Sequence, residues 1–272
     1  MKKEKRVFSS IFMALMVVFL YAPIIYTIIF SFNSSKSLTH FESFSLRWYE
    51  KLFNDSSMIQ AVIYTILIAV LATAISTVVG TITAIGLSKS KKLVRNLVEQ
   101  VNNLPIMNPE IVTAIGLLMF YSAMHIKKGF ITLLLAHIMF CIPYVILSIM
   151  PKLRTLDANL ADAAMDLGAT PWQALTKVIV PQIMPGIVSG ALIAFTMSFD
   201  DFVISYFVTG NGVNNISILV YTMSKRINPS INALSTLVIV IITVFLTITN
   251  VVPAIAERRM RRKLKRAEKK DD

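Results

Sequence analysis

A single cysteine, Cys141, stands in a chain of 272 residues. It lies within an apolar run, so no intrachain disulfide forms and the thiol reads as a packing residue. Histidine is almost as scarce: His40, His125 and His137 are scattered, with no Cys/His cluster at metal-ligand spacing. No G-x-x-x-x-G-K-[ST] segment occurs, so the chain has no loop of its own to cradle ATP phosphates. Internal repeats and a separate soluble domain are also missing. Charged residues make up only 15% of the chain against 55% hydrophobic. The mean hydropathy of +0.67 excludes an ordinary soluble globular domain. A net charge of +12 raises the question of nucleic acid. The basic residues sit in the tails and between apolar runs, however, which is the pattern of membrane topology and not of a nucleic-acid surface.

What the chain has is a series of long apolar runs separated by short polar stretches. Residues 7–32 follow MKKEKR; the run is longer than a signal-peptide core and no A-x-A site follows, so it reads as an anchor and first span, kinked at Pro23. Residues 33–57 form an external connector, with Trp48 and Tyr49 placed to sit at the membrane interface. Residues 58–87 carry Ala72, Ala74, Gly80 and Gly86, small residues suited to close helix contact. The third run, 97–124, is interrupted by Pro105 and Pro109, and the fourth, 130–150, follows a turn at Lys127, Lys128 and Gly129. The fifth covers 183–208 and the sixth 231–255, ahead of a basic tail over 257–272. The expectation is an all-α polytopic protein: one transmembrane domain over 1–272 with six transmembrane helices in the lipid bilayer. Lys and Arg number 20 on the side holding both termini and 7 on the other, which places both termini in the cytoplasm of a multi-pass cell-membrane protein.

The stretch DANLADAAMDLGATPWQALTKVIVPQIMP, 157–185, is a polar interruption with its own helix punctuation. Asp157 is placed to N-cap a first helix and Gly168 to end it with a left-handed cap. Thr170, Pro171 and Gln173 make a capping box that opens a second helix, which Pro181 and Pro185 are expected to stop. Leu160, Ala163, Ala164 and Leu167 fall at i, i+3, i+4 and i+7, a narrow apolar ridge of the kind that docks into a groove on another protein.

Asp162, Ala163, Ala164 and Gly168, followed by Ile179, Pro181 and Pro185, resemble the EAA loop of inner-membrane permeases in binding-protein-dependent ABC importers. Asp162 replaces the usual Glu and keeps its charge. The resemblance implies a type I importer permease fold in which 157–181 is the cytoplasmic coupling loop, seated on a separate ATPase through Asp162, Ala163, Ala164, Leu167 and Gly168. It also implies a heterodimer with a second permease, two ATPase subunits that bind the ATP, and an extracytoplasmic substrate-binding protein. No cofactor of the chain's own and no enzymatic activity are expected.

Only three of the fifteen acidic residues fall well inside apolar runs: Glu110 in the third, and Asp200 with Asp201 in the fifth. A carboxylate near the bilayer centre costs about 2.5–3.5 kcal/mol or more, so such residues mark function. Gly190, Ala194, Ser198, Asp201 and Ser205 lie on one small, polar helix stripe, read as the wall of a wet pathway. The fifth run would extend about 39 Å as one helix, too long for a core of about 30 Å, so a tilt or a break near the acids is expected. Carboxylates with aromatics nearby suit an ammonium, through charge and cation–π contact. The candidate substrate-path residues are therefore Asp201, Asp200, Glu110, Ser198, Trp48 and Tyr206.

Ser198 to Gly210, SFDDFVISYFVTG, with NPSINALST further on and NPEIV in the third run, resembles the spermidine/putrescine branch of the same permease family, in particular its second permease subunit. Polyamines are linear polycations, for which acids at membrane depth are apt. A permease for iron or for another small organic substrate shares much of this frame. An intramembrane aspartyl protease is disfavoured because Asp200 and Asp201 point about 100° apart on a helix and cannot share a proton face to face. A secondary transporter is disfavoured by the missing repeat and by the coupling loop.

Overall fold

The computed structural model describes residues 2–157, 159–210, 212–224 and 228–247. The tail at 257–272, Lys225, Arg226 and the later part of the expected sixth span lie outside them. The described chain is helical: α1 (Lys2–Phe30), α2 (Arg47–Asn54), α3 (Ser56–Ser88), α4 (Lys92–Met107), α5 (Glu110–Ala123) and α6 (Phe130–Thr155), then α7 (Leu160–Asp166), α8 (Pro171–Ala174), α9 (Val180–Asp200), α10 (Val203–Val208), α11 (Ile216–Ser224) and α12 (Ser230–Leu246). Among the described residues, four segments are long and apolar enough to cross a membrane: Ser9–Phe30, Ser56–Ser88, Phe130–Thr155 and Pro171–Asp200. The pair α4 and α5, bent by 102°, makes a fifth if counted as one span. Within α12, Ser230–Val244 is a shorter apolar helix.

The residues form two compact units, one of Met1–Ser56 with Thr222–Asp272 and one of Ser57–Tyr221. In the first, α1 and α2 each pack on α12. The loop after α1 is wrapped around buried Asn33, whose side-chain amide donates to the carbonyls of Ser37 and His40 (3.1 and 2.9 Å) and whose Oδ1 accepts the Glu42 N–H at 3.0 Å. Trp48 is not an interfacial ring here. It is 1% exposed, its indole N–H donates to the Asn33 carbonyl at 2.6 Å, and Arg47 and Lys51 lie 5.4 and 5.8 Å from its ring centroid.

The second unit is built on α6. Its Val145 is fully buried, and Cβ atoms placed on Gly80 of α3 or Gly190 of α9 would meet Val145 at 2.7 and 3.1 Å. Glycine at both places lets the backbones approach where no larger residue fits. The small stripe of α9, Gly190, Ala194 and Ser198, is thereby buried in protein packing and does not line a wet path. Arg154 of α6 holds Glu99 of α4 through two 2.8 Å bonds from one nitrogen. Tyr121 of α5 donates to the Thr132 carbonyl at 3.1 Å, and the Thr132 hydroxyl to the Val208 carbonyl at 3.1 Å. Gly190→Val is expected to destabilise the unit by about 1–3 kcal/mol through overpacking. Loss of folded protein in a detergent thermal-denaturation series checks this.

Proline chemistry explains one expectation that holds and one that fails. Asn108, preceding Pro109, is extended (φ −80°, ψ 143°), the conformation that a following proline favours, and α5 restarts at Glu110 after Pro109. The interruption expected in the third run is thus a sharp bend. Pro181 and Pro185, by contrast, do not stop their helix. A π-helical turn at Leu175–Ile179 separates α8 from α9, and Pro181 falls in the first turn of α9 with Pro185 inside it. The widened turn includes Lys177, whose carbonyl would clash with the Pro181 ring in a regular α-helix, and the chain runs on from Pro171 to Asp200 with Pro185 inside α9.

Candidate functional site

Two places carry chemistry. The first lies where the fifth run breaks. Helix α9 ends at Asp200, Asp201 is extended (φ −59°, ψ 126°), and α10 starts at Val203, so the break expected near the acids is present. A pocket of about 270 Å³ opens beside it. Asp200, Asp201 and Glu110 line it together with Pro105, Thr113, Phe140, Tyr144, Met197 and Phe202–Ile204. Residues 90 positions apart in sequence therefore present their carboxylates to one space, and no Lys or Arg is among its lining residues. Glu110 sits in the first turn of α5, where the helix dipole favours a negative charge.

The three acids are not equivalent. Asp200 and Glu110 are exposed, whereas Asp201 is 8% exposed and both of its oxygens are engaged. Its Oδ1 accepts the Ile204 N–H at 3.3 Å, and its Oδ2 accepts the Ser205 N–H and hydroxyl at 2.7 Å each. The carboxylate thus satisfies the open end of α10. Ser198 is buried as well, bonded to His137 Nδ1 at 2.7 Å. Tyr206 is half exposed and stands with Phe202 and Tyr221 in an aromatic group, at centroid distances of 5.5 and 5.6 Å. Phe202 also lines the pocket, so Tyr206 borders the site through it, while Trp48 belongs to the other unit. The residues missed by sequence reasoning are Tyr144, Thr113 and, behind them, His137 and Asn215. A lone histidine in an apolar run was the readable signal; nothing marked Asn215.

The second place is the polar stretch between α6 and α9. Asp157 does not cap the helix directly: its Oδ1 accepts the Asn159 N–H at 2.9 Å, a local turn that sets up the start of α7 at Leu160. Gly168 is left-handed (φ +88°). The Gly168 N–H donates to the Met165 carbonyl at 2.8 Å and the Ala169 N–H to the Ala164 carbonyl at 3.1 Å, the paired bonds of a Schellman cap. The capping box is complete, with Gln173 N–H to Thr170 Oγ1 at 3.3 Å and Thr170 N–H to Gln173 Oε1 at 3.0 Å. Asp162, Ala163 and Gly168 are exposed, Ala164 is half-buried, and Leu167 is 90% exposed. Trp172, which the motif does not include, is 71% exposed on the next turn. The firmly capped loop offers the large apolar side chains of Leu167 and Trp172 to solvent.

The chain thus combines apolar helices of membrane length, an acid-lined pocket at a broken helix and a firmly capped, exposed loop. The chain belongs to the binding-protein-dependent transport system inner membrane component family, whose model matches residues 76–262. It is 38% identical over 231 residues to the spermidine/putrescine transport system permease protein PotC of Haemophilus influenzae, covering 85% of this chain and 90% of that one. It is 37% identical over 257 residues to the putrescine transport system permease protein PotI of Escherichia coli, covering 92% of each. The fold is shared with a crystal structure of a bacterial ABC transporter involved in the import of the polysaccharide alginate, at a TM-score of 0.72 and 15% identity, over 92% of this chain and 96% of that one. The protein is an ABC importer permease subunit, a multi-pass membrane protein and not an enzyme.

Proposed function

We propose that this permease moves polyamines, spermidine or putrescine, and that the pocket holding Glu110, Asp200 and Asp201 is a station on the path. The observation that carries this is the pocket's charge: three carboxylates and no basic residue in its lining. Aromatic Phe202, Tyr206 and Tyr221 beside it supply faces for the cation. The relatives' names support the substrate class. Six spans, with both termini and the loop at 157–181 in the cytoplasm, complete the topology. The chain forms one half of a permease pair, served by two ATPase subunits and an extracytoplasmic binding protein. Reconstitution of the full complex in liposomes tests the reading. Spermidine on its binding protein should stimulate ATP hydrolysis and enter the liposomes; hydrolysis without entry of any polyamine would reject it.

Coupling passes through the capped loop. Gly168→Val is expected to leave the subunit in the membrane and uncouple it, because a β-branched side chain in the left-handed region costs about 1–2 kcal/mol or more and the cap is lost. The check is ATPase stimulation by loaded binding protein, which should fall at least fivefold; wild-type stimulation contradicts the assignment.

A further inference from the structure

Behind the pocket lies a polar node that the path itself does not use. His137 of α6 is 1% exposed in the middle of an apolar helix. Its Nε2 is 3.0 Å from Ser205 Oγ and its Nδ1 2.7 Å from Ser198 Oγ. Asn215 donates from one amide nitrogen to the Asp201 carbonyl at 3.0 Å and to Ser205 Oγ at 2.9 Å, while its Oδ1 accepts the Ile218 N–H at 2.9 Å and so caps α11. The neighbouring Ile216 N–H donates to Thr65 Oγ1 of α3 at 2.8 Å. Helices α3, α6, α9, α10 and α11 thus meet around one serine hydroxyl and one carboxylate.

Counting protons fixes how the node is wired. Ser205 has one hydroxyl proton and donates it to Asp201 Oδ2. Its oxygen is then an acceptor for both His137 and Asn215, so Nε2 of His137 carries a hydrogen. The Ser198 hydroxyl has no acceptor besides Nδ1 among the described residues, so Nδ1 is bare and the imidazole is neutral. Every donor meets an acceptor. The arrangement takes three of the about four acceptor sites of the Asp201 carboxylate, including both on Oδ2.

We propose that His137 and Asn215 are positioning residues. They lock Asp201 into the cap of α10, so that Asp200 and Glu110 are the carboxylates presented to the cation. This rests on the pathway reading of the pocket. The test uses the full complex with Cys141→Ala, which removes the only native thiol of this chain, and Asp200→Cys as a reporter for a cationic methanethiosulfonate reagent. Adding His137→Phe, which keeps a ring and removes both polar atoms, should change the labelling rate at least fivefold at unchanged complex level. His137→Gln, which retains a donor and an acceptor, should stay within twofold of the parent. Asn215→Asp keeps the Ile218 acceptor and loses both donors, so it should follow His137→Phe. An unchanged rate in His137→Phe and Asn215→Asp overturns the proposal, and so does failure of both to assemble, which would make the node purely structural. Full uptake in Asp200→Asn and Glu110→Gln would instead sink the pathway reading, with the labelling shift left standing.

Discussion

Replacing Glu110 by Gln and Asp200 by Asn in the same chain is expected to cut spermidine uptake per assembled complex about a hundredfold, with each single change giving about tenfold. Both substitutions keep the shape of the side chain and remove only its charge. A loss of about 1.4 kcal/mol for each charge contact to an ammonium in a wet, screened pocket is one decade in rate or affinity, and two independent contacts give two decades. Folding should survive, because both carboxylates are exposed and Glu110 is the first residue of its helix. Asp201→Asn should behave differently. An amide in place of Oδ2 sets a donor against the Ser205 N–H and hydroxyl, so the amount of complex falls before uptake per complex does. Radiolabelled uptake normalised to complex in the membrane separates the two patterns. Full uptake per complex in the double variant would falsify the role of the pocket.

The second large effect is expected at the docking loop. Ala163→Arg combined with Leu167→Glu should abolish co-purification of the ATPase while leaving the subunit inserted. Leu167 has nine-tenths of its surface open, and covering a leucine contributes about 1.5–3 kcal/mol. A glutamate there loses that gain and adds the cost of burying a charge. Arginine at 163 projects a long cation from an exposed small position on the same ridge. Normal recovery of the ATPase with the double variant would place the contact elsewhere, with Trp172 the next residue to change.

Local chemistry was the part of the fold best written in the sequence. Gly168, the Thr170–Gln173 box and the break at Pro109 are decided by backbone preferences of a few residues, and the structure has each of them. Pro181 misleads because a helix can absorb a proline by widening the turn before it, and Pro185 because it lies inside a helix that continues past it. The meeting of Glu110 with Asp200 is legible in the sequence only as two acids inside apolar runs. The difference between Asp200 and Asp201 depends on His137, Ser205 and Asn215, which come from three other elements. The small stripe of α9 reads in the sequence as the wall of a wet path, yet smallness suits a neighbouring helix as well as water, and Val145 of α6 packs against it. Trp48 was chosen for its type, and its ring is already covered by its own sequence neighbours.

The uninterrupted rod from Pro171 to Asp200 has a mechanical consequence. At about 1.5 Å per residue its 30 residues are about 45 Å long, half as long again as the apolar core of a bilayer. A tilt of about 10° at the end that carries the capping box displaces the far end by about 8 Å, more than the width of a polyamine chain. On the proposed coupling, a push on the end next to the ATPase swings the Asp200 carboxylate at the other end. Under that proposal, power stroke and substrate contact are two ends of a single lever, whose π-helical turn, at 175–179, lies next to the handle.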